Sequence, residues 1–219
     1  MAQFNKIGPY KAQLRSETTL TINIENFLTN REEFEGSLMS EYGELNFAAK
    51  YLRDGFKFNF SLGENLLSVQ HLFQDIKNPV NSQEITVNYN GNEHRSTITK
   101  GDIERLIKNK ELGPFEGLLR IIKQSSDVKE FSESLKNLQN VLNTTNVANL
   151  VATVAEDADE PITVFKTLWE CILQGLAYIG AIIGLAICAT IIFCIWAMIG
   201  LAAAAISLAR CIEGLLGSK

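Results

Sequence analysis

Residues 171–209 read CILQGLAYIGAIIGLAICATIIFCIWAMIGLAAAAISLA, thirty-nine residues without a charged side chain, closed by Glu170 on one side and Arg210 on the other. A bilayer's hydrocarbon core is about 30 Å thick and is crossed by about twenty helical residues. A helix at the surface of a soluble protein turns one face to water and shows charge there. The stretch therefore reads as membrane-inserted. The chain as a whole reads as an α+β soluble head followed by an all-α hydrophobic membrane tail.

As one helix the stretch would extend about 58 Å at 1.5 Å per residue, nearly twice one crossing. Two spans, at about 167–188 and 193–213, use the length better as a helical hairpin turning near Thr190. One long tilted span and a hairpin buried in a soluble globule rank behind it. The ten isoleucines, five leucines and one phenylalanine of the stretch favour insertion by about 5–10 kcal/mol. Against the hairpin, 188–193 contains no glycine, proline or asparagine to make a turn.

The flanks fit a hairpin. Lys166 and Arg210 fall on one side, cytoplasmic by the positive-inside tendency, with Trp169 at the near interface and Trp196 toward the far one. Gly180 and Gly184 match the small-residue spacing of packed membrane helices, and Gly200 and Ala204 repeat it. These glycines serve equally for packing within one chain or for self-association through the tail. Cys171 and Cys211, near the charged flanks, are candidates for acylation, weighed against cysteine as a small apolar residue. The four cysteines are spaced symmetrically about Ile191, which would set Cys171 level with Cys211 and Cys188 level with Cys194. The symmetry carries little weight, because seventeen residues of straight helix leave two positions about 100° apart around the axis.

Two domains follow: an acidic soluble α+β domain over 1–160, helix-rich from about 102, and a transmembrane helical region over 161–219. The segment before Lys166 carries a net charge of −6, which disfavours nucleic acid as a partner. It has no cysteine, which fits a reducing compartment. Met1–Thr18 lacks the apolar core of a secretory signal, so the expectation is an integral membrane protein with a cytoplasmic head and no signal peptide.

Within the head, Thr18–Ile24 and Phe56–Phe60 alternate as strands. The segment from about Arg31 to Arg53 suggests two short helices with Leu38, Met39, Leu45, Phe47, Ala48 and Leu52 inward, and Glu64–Lys77 suggests another. Glu84–Lys100 reads as a β-hairpin around Asn90-Gly91. A four-residue loop pairing Ile85 with Ile98 is preferred to a two-residue turn, which would set Ile85 and Val87 opposite Ser96 and His94. Asp102 is expected to cap a helix, Pro114 to open a second and Ser126 or Asp127 to start a third.

Nothing in this pattern carries chemistry. There is no phosphate-binding glycine loop, no dinucleotide fingerprint and no zinc pattern, so no catalytic, cofactor or metal residues are assigned. His71 and His94 read as structural, and the acids at 156–160 read as a solvated linker because their spacing is not that of a calcium loop. Gln174 and Tyr178, one helical turn apart, would bond between helices or line a polar path. The leading expectation is a non-enzymatic interaction or scaffold module tethered to a lipid bilayer, with an unidentified protein partner. The alternatives are a permeabilising protein whose hairpin inserts on a trigger, in layout like pore-forming colicins, and a membrane-anchored enzyme.

Overall fold

Eight strands follow one another across a single antiparallel sheet in the order of the chain. They are β1 (Tyr10–Arg15), β2 (Thr18–Asn23), β3 (Glu33–Ser40), β4 (Gly43–Leu52), β5 (Gly55–Leu62), β6 (Asn65–Phe73), β7 (Ser82–Tyr89) and β8 (Asn92–Thr99). Four helices come after them: α1 (Lys100–Asn109), α2 (Phe115–Lys123), α3 (Pro161–Ile187) and α4 (Ile191–Gly217). This computed structural model describes residues 10–15, 18–23, 33–40, 43–123, 132–133, 136, 161–188 and 190–217. The expected helix from Ser126 or Asp127 and the acidic linker at 156–160 lie almost wholly outside these residues.

The α+β class holds, but two segments expected to be helical are strands. The 31–53 segment forms β3 and β4, paired from Glu33↔Lys50 to Ser40↔Gly43. The 64–77 segment forms β6, paired with β5 on one side and β7 on the other. Leucine-rich stretches satisfy both periods, and the choice falls to neighbouring strands that bury one face. On β6 that face is Leu67, Val69, His71 and Phe73, while Leu66 points the other way and is 58% exposed.

The β7–β8 hairpin corrects the expected register. Tyr89 pairs with Asn92, so the turn has two residues, with Asn90 at φ 50 and Gly91 at φ 85. Two positive φ values in succession define the turn whose twist suits a hairpin, and they fix Ile85 opposite Ser96 and Val87 opposite His94. An apolar pair across the strands is unnecessary because α2 covers the inward polar groups of β8. The Ser96 hydroxyl donates to the Pro114 carbonyl at 2.9 Å and accepts from His94 Nε2 at 2.8 Å.

Thr99, rather than Asp102, is the N-cap of α1. Its hydroxyl oxygen accepts from the Asp102 backbone N–H at 3.3 Å, and the Asp102 carboxylate accepts from the Thr99 backbone N–H at 2.9 Å, closing a capping box. The Thr99 hydroxyl also donates to the Asp102 carboxylate at 2.6 Å, and this bond first, with the Thr99 backbone N–H and Arg105 adding to it, holds the Asp102 carboxyl below its usual range.

One face of the sheet is apolar. Leu45, Phe47, Ala49 and Tyr51 of β4, Phe56, Phe58 and Phe60 of β5, and Ile85 and Val87 of β7 form one continuous core with Leu106, Leu118 and the buried faces of α3 and α4. The opposite face is polar. Rows such as Thr21, Ser37, Asn46 and Ser61 run straight across neighbouring strands.

Candidate functional site at the contact of the apolar helices with the sheet

The apolar helices do not stand apart from the head. Cys171, Ile172, Leu176, Tyr178, Ile179, Ile182 and Leu185 of α3 are buried in the same core as the sheet's phenylalanines. The contact is close at Gly175, where an added Cβ would lie 2.6 Å from Phe58 Cζ. The gap left among Phe47, Phe58, Phe60, Ile172 and Leu176 is about 10 Å³, at the lower limit for one water.

At the centre of this contact sits a polar group. His71 is fully buried, stacked on Phe73 with ring centroids 4.6 Å apart and tilted against Phe56 at 5.3 Å. Its Nδ1 lies 2.8 Å from the Tyr178 hydroxyl, and its Nε2 lies 2.8 Å from Gln83 Oε1. The amide oxygen of Gln83 can only accept, so Nε2 carries the hydrogen, and Nδ1 accepts from the Tyr178 O–H. Both ring nitrogens are thus satisfied by a neutral imidazole. Burial lowers its pKa to about 3, partly opposed by the bond to Gln83. Among the described residues His71–Tyr178 is a side-chain hydrogen bond joining the sheet to α3 across 107 positions of sequence.

Tyr178 also meets Phe56 edge-on at 4.9 Å. The expected role of Tyr178, a bond between helices or a polar path, is replaced by this bond to the sheet. Gln174 is half-buried, and its Oε1 has no partner among the described residues.

Two disulfides bracket the helices. Cys171 of α3 joins Cys211 of α4, and Cys188 joins Cys194 across the connection, with Cα–Cα distances of 5.6 and 5.2 Å. These are the partners that the symmetric spacing suggests. The rotation argument against them does not hold for Cys188, which follows the last helical residue, Ile187, and so is free of the helical wheel. The connection also has turn chemistry that the residue types obscured. The Thr190 hydroxyl accepts from the Phe193 N–H at 3.4 Å and its carbonyl from the Cys194 N–H at 3.0 Å, starting α4 as an N-cap does. Because Cys171 and Cys211 are bonded to each other, neither thiol is free for acylation in this form.

The other expected residues are dispersed. Gly180 is half-buried. Gly184 and Gly200 have nothing within 4 Å of an added Cβ, and Ala204 packs at the edge of the core. The glycine in close contact is Gly175, which the spacing rule passes over. Arg210 is exposed; the side chains of Lys166 and Trp169 lie outside the described ones. Trp196 is 61% exposed with the Lys110 ammonium 5.9 Å from its ring centroid. Ile192–Leu215 is long and apolar enough to cross a membrane, at mean hydropathy 2.3. In α3 the apolar stretch is the shorter Glu170–Ile182, so among the described residues there is one candidate span where two were expected.

His71 could have been noticed in the sequence. It occupies the period-two position between Val69 and Phe73, where an unpartnered imidazole is costly and a buried donor or acceptor from elsewhere in the chain is required. No protein-family model, curated protein or solved structure matches this chain.

Proposed function

We propose that this is a non-enzymatic, membrane-acting protein that stores its apolar helices against the sheet in a water-soluble form and gives them up to a bilayer. One observation carries the reading: α3 buries its apolar face on Phe56 and Phe58 and is held there through Tyr178 and His71. A tail living permanently in lipid gains nothing from a polar contact to a soluble sheet. A stored helix needs one, because a hydrogen bond that must be broken makes release conditional. Delivered to a membrane, the helices would permeabilise it or anchor the chain there, with self-association through the exposed glycines of α4.

A second reading is the constitutive tether, with the α+β domain binding a protein partner. It is favoured by Ile192–Leu215, in which 44% of an apolar eighteen-residue window is buried. It also has a partner surface available: a hollow of about 470 Å³ on the polar face, lined by Ser37, Asn46, Asn59 and Ser61. A cytoplasmic head goes with reduced thiols, whereas paired thiols go with an oxidising side. Alkylation of the protein before lysis tells which state it is in.

The test is made with purified full-length chain in buffer without detergent. Stored helices predict a monodisperse protein that releases dye from liposomes under acid or reductant. A tether predicts protein recovered only with membranes, resisting alkaline carbonate and leaking nothing. A monodisperse protein that ignores vesicles under every condition refutes both.

A further inference from the structure

We propose that the first part of the stored form to meet a membrane is the connecting end of the two apolar helices, where Ile192, Phe193, Trp196 and Lys110 form a docking patch for an anionic lipid surface. The inference rests on the membrane-acting reading and adds the contact site and the lipid class.

Ile192, Phe193 and Trp196 are 66%, 66% and 61% exposed. They lie within the first two turns of α4, beside the Cys188–Cys194 disulfide that fixes the connection. Together they expose roughly 400 Å² of apolar side chain, in the range of patches that mark interaction sites on soluble proteins. The rest of the exposed stripe of α4 has no bulky apolar residue: Gly200, Ala203 and Ser207 follow at helical spacing, then the charged Arg210 and Gly214. The bulky apolar surface is therefore confined to one end of the helix. That shape suits insertion of a tip rather than a helix lying flat in the interface, which would need large side chains along its length.

Charge selects the occupant. Lys110 ends α1 in the left-handed conformation and sets its ammonium over the Trp196 ring. Lys108 is exposed in the last turn of α1, and among the described residues neither lysine is in an ion pair; the exposed Glu111 that follows Lys110 accepts from the Asn109 side-chain amide at 3.3 Å. An indole with a cation on its face is the pairing found where hydrocarbon meets headgroups. The Lys110 ammonium, with no carboxylate paired to it among the described residues, attracts lipid phosphate and carboxylate. The chain's net charge of −5 opposes approach to an anionic surface, so attraction must come from a local cluster, and it must weaken with salt.

The experiment uses full-length oxidised protein at pH 7.5, where His71 is neutral and the helices remain stored. Flotation is measured with phosphatidylcholine vesicles and with vesicles containing 30 mole per cent phosphatidylserine, alongside emission from Trp196 in a Trp169→Phe background. Binding to the anionic vesicles, a blue shift of Trp196 and loss of both in high salt are expected. Ile192→Ser/Phe193→Ser/Trp196→Ser should lower binding at least tenfold. Lys110→Glu should lower it more than the roughly fivefold attributed to one basic residue near such a surface. All these side chains are exposed, and unchanged melting curves confirm that the variants fold. If the triple variant floats like the parent, the patch is refuted while the membrane reading stands. If the parent ignores both vesicle types at pH 7.5 but permeabilises them in acid, docking by the stored form is refuted and the stored-helix reading survives. Equal binding to neutral and anionic vesicles refutes the lipid class. Self-association that the triple variant abolishes, without vesicle binding, makes the patch an interface between copies and overturns the proposal.

Discussion

Lowering the pH from 7.5 to 5 should loosen α3 from the sheet through His71. In the folded chain the ring is neutral, its pKa lowered from 6.5 to about 3, chiefly by burial. In a released or unfolded chain it returns to about 6.5 and takes up a proton as the pH falls past that value. The folded state therefore binds fewer protons, and its stability is fully present above about pH 6.5 and is lost progressively down to about pH 3. At pH 5 the released state is favoured by about 2 kcal/mol relative to neutral pH; over the whole window the difference approaches about 5 kcal/mol. His94, whose pKa is lowered by burial and then by the Arg120 charge, adds a smaller effect of the same sign. Asp75 and Asp102 have lowered carboxyl values, so the stability they contribute is lost only at more acid pH, below about 4. Urea titrations at pH 7.5 and 5 measure the effect as a midpoint shift of about 1 M at a slope near 2 kcal/mol/M. The control replaces the polar set together, His71→Phe, Gln83→Met and Tyr178→Phe, which fills similar space and leaves no buried partner orphaned. Its midpoint should stay nearly level between the two pH values. An equal midpoint for the parent at both, or the full acid loss in the control, refutes the role given to His71.

Three further outcomes can be measured on the same protein. Gly175→Val should destabilise the fold by about 1–3 kcal/mol, because its side chain enters the space of Phe58, whereas Gly184→Ala should stabilise by about 0.5–1 kcal/mol through helix propensity in open space; matched thermal melts compare them, and equal effects would contradict the placement of α3. Cys171→Ser/Cys211→Ser removes a link closing 40 positions of sequence and should cost about 4 kcal/mol in the chain-entropy model, with peptide mapping of the unreduced parent checking that Cys171 pairs with Cys211 and Cys188 with Cys194. Thr99→Ala should cost about 1 kcal/mol by opening the capping box of α1, read by denaturation; no change would mean that α1 is held by packing of Leu106 alone.

How legible each part was depends on the range of the forces that decide it. The Asn90-Gly91 hairpin was readable because a two-residue turn is encoded where it forms, although its register was set by the two positive φ values and not by matching Ile85 with Ile98. The segments that become β3, β4 and β6 were misread because Leu38, Leu45, Leu66 and Leu67 fit a helical period locally. Pairing with strands on either side, which no single window contains, selected the extended form. Of the candidate site, the sequence offered the apolar stretch, but gave no reason to join His71 to Tyr178.

From residue types and order alone come an apolar carboxyl-terminal segment whose length and lack of charge suit lipid, an acidic region without cysteine ahead of it, and a spacing of four cysteines that hinted at their partners. These are properties of composition and spacing, and they survive any folding of the chain. Whether that segment faces lipid or protein is a competition between two apolar surroundings that satisfy its side chains almost equally. The structure lays the segment against the sheet through contacts distant in sequence: Phe58 against Gly175, and an imidazole whose remaining acceptor is met by a hydroxyl 107 residues away.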